Sequence, residues 1–397
     1  MDIVAGVLLV IWIVLIALGL PGLVTIRQLR PPRNSMDPLA GESVDETLPR
    51  ISIIVAARNE ERGIGEGLRS LLRLEYPAME IIAVNDRSTD RTGEIMREVE
   101  QEVAQAGASS GGNAPQLRVI DITDLPRGWL GKNHALYHGS QHATGEWLLF
   151  TDADIVFNPQ ALTIAVKHAL HYKLDHLALT PNMRINSLLL RALVMFFMFN
   201  LMLFFMPQYA RFSWSPAHMG VGAFNLIRKQ VYEAIGTHEV IRMRPDDDLR
   251  LGRQVKLHGF RQDFAIADQL LSVEWYASVG EMIRGLEKNS LAPFEYRIWF
   301  LVGGLIPLLA FYLLPFIGPL ISWGLAHTLF SINFVLCLVY FTMHGKFYPM
   351  WFVYFLLWPV TVPIFLYAIG RAAILTWLRG GIEWRDTRYS LAELKQK

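Results

Sequence analysis

Cysteine is nearly absent from this chain. The single one, Cys337, stands in an apolar stretch, so no disulfide can form within the chain and thiol catalysis is not expected there. Charge is scarce too. Asp, Glu, Lys and Arg make up 18% of the 397 residues, and 37 basic against 36 acidic side chains leave a formal net charge of +1. Bulk electrostatics therefore gives no case for nucleic-acid binding. No internal repeat is evident. A signal peptide would place basic residues before its apolar run and a small-residue cleavage site after it, and neither is present. What the chain has in excess is apolar side chains, 52% of the total. That suits an integral membrane enzyme, and the length suits one water-exposed domain plus a membrane region.

The apolar residues come in runs. Ile3 to Thr25 carries no charge and is long enough to cross a bilayer. Arg27, Arg30 and Arg33 follow, which puts the N-terminus outside and the next domain in the cytosol. The expected arrangement is an anchor at 1–26, a polar linker at 27–49, a cytosolic α/β domain at 50–298, a membrane region at 299–378 and a polar tail at 379–397, all on the inner (cytoplasmic) membrane. Three C-terminal spans are expected near Trp299–Ser322, Ala326–Met343 and Trp351–Ala373, two of them kinked by Pro307, Pro315, Pro359 and Pro363. Three crossings from a cytosolic start leave the C-terminus outside. Arg371, Arg379, Arg385 and Arg388 argue for inside, and the sequence does not resolve the conflict. A further apolar run, Leu188 to Met206, is interrupted by Arg191. Candidate site residues stand on both sides of it and must share a compartment, so an interfacial helix at 188–207 is expected, not a span.

Between the runs the pattern changes. β-branched or apolar strands at Ile51–Ala57, Ile81–Val84, Leu117–Ile120 and Trp147–Thr151 alternate with helices at about Ile64–Leu74, Thr92–Ala106 and Asn133–Ala143. Gly107 to Pro115 reads as a flexible loop. Such alternation predicts a mostly parallel sheet covered on both faces, with ligands at the carboxyl ends of its strands.

That edge collects the polar motifs. Asp152 and Asp154 end the apolar run from Glu146; carboxylates so spaced suit a hard ion such as Mg²⁺ or Mn²⁺ that could hold a diphosphate, or else a solvated turn. Arg58-Asn59-Glu60-Glu61 follows the first strand and could reach a base or ribose, or could cap the next helix. Asp86 follows the second strand and could bind a uracil or ribose, with Ser88 to Asp90 forming a turn. Gly128 and Gly131 permit tight turns before a helix whose start carries Lys132, placed to meet a phosphate. Trp129 could cover a nucleotide or sugar, or plug into the core. His138 and His142 are spaced for metal but lack an intervening carboxylate, and a solvated helix face is expected. Arg244-Pro245-Asp246-Asp247-Asp248-Leu249 precedes a helix from Leu249 to Leu257 that ends at Gly259. Clustered carboxylates repel, so one should acquire a raised pKa useful to a general base; the competing reading is simple helix capping.

Together these segments, over about Pro49 to Asn289, resemble a family 2 glycosyltransferase of GT-A, Rossmann-like fold. Val55 to Glu60 resembles the first-strand motif, which implies nucleotide-sugar contacts at Ala57, Arg58 and Glu60. Val84 to Asp90 resembles the family's V-D-D-x-S-T-D, with Asn85 in place of the first Asp and Asp86 as the implied nucleotide contact. Thr151-Asp-Ala-Asp154 resembles the metal-binding D-x-D, implying Asp152 and Asp154 as ligands of Mg²⁺ or Mn²⁺. Lys132 and Asp152 are also implied donor contacts. Asp247-Asp248 stands where the family has E-D, which implies Asp248 as the catalytic base. Gly220 to Asn225 resembles the loop lining the acceptor, and Trp129, Gly220, Asp247 and Arg284 are the implied acceptor contacts. The Gly128–Lys132 segment, the anchor and the C-terminal membrane region resemble the ceramide glucosyltransferase-like branch, which includes carotenoid- and hopanoid-associated enzymes. The Q-x-x-R-W that processive synthases and ceramide enzymes carry after the third acidic motif is missing; Glu281 to Gly285 keeps only Arg284. That departure weakens the case for a processive synthase and for ceramide as acceptor. The resemblance implies inverting, metal-dependent transfer from a nucleotide-sugar, a UDP-sugar first, to a lipid hydroxyl in the bilayer. A processive polysaccharide synthase and a non-catalytic nucleotide-sugar-binding scaffold are the alternatives.

Overall fold

The computed structural model describes residues 1–31, 48–109, 116–289, 298–345, 350–384 and 387–394. The chain divides into two compact units. One consists of Arg27–Arg184 and Tyr209–Glu274; the other of Met1–Ile26, Ile185–Gln208 and Trp275–Lys397.

The first unit is built on an eight-stranded sheet. Its strands are β1 (Arg27–Gln28), β2 (Ile51–Ala57), β3 (Met79–Asp86), β4 (Gln116–Ile122), β5 (Trp147–Asp152), β7 (His176–Thr180), β9 (Asn225–Arg228) and β10 (Gln262–Ile266), in the order β1-β10-β7-β9-β5-β2-β3-β4. A small second sheet joins β6 (Val156–Phe157), β11 (Leu271–Val273) and β8 (Asn182–Met183). β2, β5 and β7 are buried along almost their whole length, and β2 and β5 accordingly read as nearly continuous apolar runs. Every pairing in the large sheet is parallel except those of β9, which runs against both β5 and β7. That reversal matters. With Asn225 opposite Phe150, the loop before β9 emerges at the edge where β5 and β2 end, and Asp152 lies beside Ala56 there.

The expected strands are present; Ile51–Ala57 has the expected bounds and the other three are longer. The helix at Thr92–Ser109 runs into the segment expected as a loop; residues 110–115 of that segment lie outside the described residues. Arg27 and Gln28, assigned to the linker, form an edge strand instead, because Arg27 pairs with buried Asp263 at 2.5 Å and lies 3.4 Å over the Tyr172 ring. β7, β9 and β10 escaped the sequence reading because their buried residues include polar ones. Gln262 donates to His176 Nδ1 at 2.8 Å and to the Gly252 carbonyl at 2.9 Å, and its own carbonyl accepts from the Met219 amide at 2.9 Å. His176 Nε2 completes the relay on Asn225 Oδ1. Each polar group on that path is satisfied, so three strands can be crossed by side chains that hydrophobic patterning does not reveal.

The second unit is helical. Its apolar helices are Asp2–Thr25, Leu188–Phe205, Ile298–Ile321, Gly324–Gly345 and Trp358–Arg379, and all five are long and apolar enough to cross a membrane. Aromatic rings fill its core: Trp12 stacks on Phe311 at 4.7 Å, and Phe199 meets Trp358 edge-on at 4.8 Å. The last expected span is two helices, Trp351–Leu356 and Trp358–Arg379, sharing Leu357 as a cap. Pro359 has no N–H to continue the first helix, so the second restarts with Val360 and Thr361 both donating to the Leu357 carbonyl at 2.9 Å. The helix Val279–Asn289 is tied in by Glu287, which pairs with Arg371 at 2.9 Å and Arg379 at 2.7 Å. The expected polar tail carries a hairpin, Gly381–Trp384 with Thr387–Ser390; Arg33 and Arg385 lie outside the described residues.

Two buried histidines in the first unit give the fold an acid limit. Burial holds His176 down at about 4 despite its bond to Asn225, and burial together with the Lys132 charge holds His238 at about 3. Both values lie below the unfolded value, so the unfolded chain binds more protons. Stability should fall as pH drops from about 6.5 toward these values, by about 1.4 kcal/mol per pH unit for each histidine. Denaturant unfolding of the full chain between pH 7 and pH 5 checks this. A His238→Asn variant should flatten the slope by one histidine's share, and an unchanged slope would contradict the assignment.

Candidate active site

The alternation of β5 continues one step past its end. Thr151 and Ala153 are buried, whereas Asp152 and Asp154 are half-exposed. Thr151 Oγ1 donates to the Ala223 carbonyl at 2.8 Å, and the Asp152 amide donates to the Gly222 carbonyl at 2.9 Å. These bonds lock the loop before β9 against the strand end. The loop then reaches the other acidic cluster, where the Gly222 amide donates to Asp248 Oδ2 at 2.8 Å. Glycine is required at this approach. A Cβ on Gly222 would lie 2.5 Å from Asp152 Oδ2, and one on Gly220 would lie 1.8 Å from the backbone carbonyl oxygen of Asp248.

Asp247 and Asp248 open the helix Asp247–Leu257. Burial raises the pKa of Asp248 and the Asp152 charge adds to the rise, while Lys132 and the amides of Leu249 and Gly222 pull against it. The rise expected from the sequence is present, with burial as its first cause and not repulsion within the triplet. Asp246 plays another part. Arg244 holds it at 3.0 Å and Arg250 at 2.9 Å, so it braces the turn into the helix.

Lys132 connects the clusters. Its ammonium lies 2.8 Å from Asp152 Oδ1 and 3.5 Å from Asp247 Oδ2. Burial works against the charge, but Asp152, Asp247 and Asp248 outweigh it and raise the pKa, so the side chain stays protonated at any physiological pH. Lys132 sits in the first turn of the helix Gly131–Gln141. Asn133, which the sequence reading passed over, fixes that turn: its amide donates to the carbonyls of Ile241 at 2.8 Å, Arg244 at 2.9 Å and Arg242 at 3.2 Å. One buried amide thus sets the chain leading into Asp247 against the helix carrying Lys132. Only its place directly after the Gly128–Lys132 segment could have signalled it.

Asp86, buried at the end of β3, adjoins the same helix start; a Cβ on Gly131 would lie 2.4 Å from its Oδ2. Arg87, in the left-handed region at φ 55°, folds back on it with bonds of 2.8 and 3.1 Å. Asn85 donates to Asp121 Oδ1 on β4 at 2.7 Å. An aspartate there would face Asp121 carboxylate to carboxylate, which accounts for the Asn in this motif. The loop after β2 is laced to the loop after β3: Asn59 Oδ1 accepts from the Thr89 amide at 2.9 Å, and the Glu60 amide donates to Thr92 Oγ1 at 2.7 Å. Ala57 is buried beneath it, with Arg58 and Glu60 half-exposed. Asp154 packs over Gly63, where a Cβ would come within 2.8 Å of the Asp154 Cβ.

Other candidates fall elsewhere. Trp129 stacks on Tyr137 at 5.1 Å, so it covers its own helix and does not enter the core. His134, His138 and His142 form a ladder of ring contacts at 6.0 and 5.1 Å. Arg284 stands on the helix Val279–Asn289 of the other unit. Among the described residues no group of three or more His, Cys, Asp or Glu has a metal-holding arrangement. The half-exposed carboxylates of Asp152 and Asp154 still fit a hard divalent cation, because Mg²⁺ and Mn²⁺ sites take one or two carboxylates and complete the shell with water and phosphate.

Residues 52–236 match the family described as Glycosyl transferase family 2. Over 108 residues the chain is 37% identical to a 4,4'-diaponeurosporenoate glycosyltransferase of Staphylococcus aureus (strain USA300), covering 27% of this chain and 24% of that protein. The chain thus spans about a quarter of the length of the curated relatives it matches. Among solved structures, the mannosyltransferase PcManGT from Pyrobaculum calidifontis, in complex with GDP-Man and Mn2+, is similar over 94% of this chain and 98% of that one, with a TM-score of 0.54 and 17% identity. That likeness is one of fold, a GT-A-like sheet with long apolar helices.

The two glycines should separate in experiment. Gly222→Ala pushes only on the Asp152 carboxylate and not on backbone, so the protein should fold while turnover falls at least about tenfold, as for a misplaced reacting group. Gly220→Ala meets backbone and should cost on the order of 3 kcal/mol of stability. Thermal unfolding and donor turnover of both variants check this; equal stability losses would refute it.

Proposed function

We infer, for a chain whose residues 52–236 form a family 2 glycosyltransferase domain, that it moves a sugar from a nucleotide donor to a hydroxyl of a membrane lipid, inverting the anomeric carbon. The observation that carries this reading is a single loop touching both acidic clusters: Gly222 bonds to Asp152 through its carbonyl and to Asp248 through its amide. A donor held at Asp152 and an acceptor held at Asp248 would therefore meet across that glycine.

Asp248 removes the proton from the acceptor hydroxyl. Its raised pKa makes it a stronger base than an ordinary carboxylate. The acceptor oxygen then attacks the anomeric carbon in line, the bond to the nucleoside diphosphate breaks, and the electron pair leaves with the diphosphate. Lys132 supplies fixed positive charge at that end and keeps its proton throughout. Asp152 and Asp154 would hold a Mg²⁺ or Mn²⁺ ion, which when bound offsets charge on the leaving diphosphate. Asp86, with Ala57, Arg58 and Glu60, holds the nucleoside; a UDP-sugar is the first choice of donor. GDP-mannose is the comparison donor, since PcManGT was solved with it.

Five long apolar helices support a membrane-bound acceptor, as does a relative named for a diaponeurosporenoate. In chain order the segments before and after the helix Leu188–Phe205 both belong to the α/β unit, which supports an interfacial helix over a crossing. The domain faces the cytosol of the inner membrane in this reading. Absence of Q-x-x-R-W supports single transfer over a processive synthase, and Trp129, Gly220, Asp247 and Arg284 remain the proposed acceptor contacts.

Asp248→Asn should lower turnover about 10²–10⁴-fold with little change in donor affinity. A base acts unprotonated, so wild-type activity should fall with decreasing pH through a midpoint above the ordinary Asp value of about 3.9. That acid limb should vanish in the variant; retention of both turnover and limb would reject the role. Asp154→Ala should remove the effect of Mn²⁺ on nucleotide binding, read by calorimetry with UDP and GDP. Identical binding with and without Mn²⁺ in the wild type would contradict the metal site. Mass spectrometry of lipids from membranes incubated with labelled donors identifies sugar and acceptor.

A further inference from the structure

We infer that the last apolar segment, ending at Arg379, enters and leaves the bilayer on one face. The chain between Ile298 and Leu394 then crosses twice and not three times. Helix Ile298–Ile321 serves as a ruler. A Cβ on Gly318 would lie 2.4 Å from the Phe330 ring, and Phe316 meets Phe334 at 5.3 Å, so helix Gly324–Gly345 runs back along it toward its start. Helix Trp358–Arg379 also runs back. Trp358 lies beside Tyr312 at 5.9 Å and Phe316 at 6.1 Å, whereas a Cβ on Gly370 would lie 3.7 Å from Leu305. The two long helices Gly324–Gly345 and Trp358–Arg379 thus point the same way.

No full crossing separates them. Phe355 already contacts Phe316 at 5.0 Å and Phe334 and Phe341 at 5.5 Å, so the chain regains only part of the depth before turning. At 1.5 Å per residue, Trp358 starts about 8–13 Å short of the ruler's far end at Ile321. The exit is fixed by charge: Arg371 and Arg379 both pair with Glu287, on the helix that precedes the ruler.

A turn at that depth must leave no backbone group unpaired. Leu357 meets the condition. Its amide donates to Val353 at 3.0 Å, its carbonyl accepts from Val360 and Thr361, Pro359 has no N–H to satisfy, and Thr361 Oγ1 bonds the Trp358 carbonyl at 3.1 Å. The outer surface is apolar, with Leu356 71% and Trp377 65% exposed alongside Phe352, Tyr367 and Ile374. Its occupant is the acyl chains of the bilayer, entered from one face only, with Trp377 near the headgroups beside Arg379. This sets the C-terminal arginines on the side of the ruler's start, as positive-inside logic asked and a three-span count forbade.

Single cysteines in a Cys337→Ala background test it in native membranes. Ala277→Cys reports the side of Glu287, Trp323→Cys (85% exposed in the native residue) reports the far side, and Ala392→Cys reports the C-terminus. A membrane-impermeant maleimide should label position 392 from the same side as 277 and opposite to 323. Labelling of 392 together with 323 would overturn the inference. Glu393→Cys reads the same side if Ala392→Cys does not accumulate. The readout needs no sugar transfer, so it stands apart from the catalytic reading.

Discussion

A lysine ammonium packed among three carboxylates is the constraint on which the site depends. Lys132 alone would be costly to bury, and Asp247 alone likewise. Together they hold the start of one helix, the end of β5 and the start of another helix at fixed separations. The charge is shared unevenly. Asp152 is closest to the lysine, Asp247 is buried beside it, and Asp248 feels it only at longer range while burial lifts its pKa. One cation therefore stands in three different relations to three neighbouring carboxylates, and the one whose pKa burial raises, Asp248, is the one that accepts from the Gly222 amide.

Much of this was readable from residues alone. The strand ends announced themselves, because apolar runs that stop at Arg58, Asp86 and Asp152 leave few other places for a ligand. The pairing of distant acidic motifs followed from the resemblance, and both clusters do meet around Lys132. What stayed hidden depends on contacts that no local pattern encodes. Asn133 looks like an ordinary helix residue until its amide is seen against three carbonyls. Gly222 sits in a glycine-bearing loop whose need for glycine arises from Asp152, far away in sequence. β7 and β10 carry buried His176 and Gln262, whose polarity hides them from hydrophobic periodicity although each is fully bonded.

The membrane unit failed to yield for a different reason. Length and composition identify a helix that could cross, and Trp358–Arg379 qualifies on both counts. Direction is not encoded in either. It follows from which rings meet, and from a carboxylate at Glu287 that only the folded unit brings to the arginines. The departure at Asn85 is the converse case: a mismatch with the motif is explained by its neighbour Asp121 on the adjacent strand.

The short strand β1 has a consequence for how the molecule is made. It closes the rim of the sheet beside β10, through Arg27 on Asp263, 236 positions later in the chain. The earliest-synthesised strand must therefore wait for almost the last one before that rim is covered. Until residue 266 has emerged from the ribosome, β7 has no neighbour on that side and its backbone groups stand open. The interval is a window in which the nascent chain is most exposed to mispairing, and it ends only when Arg27 and Gln28 pair with β10.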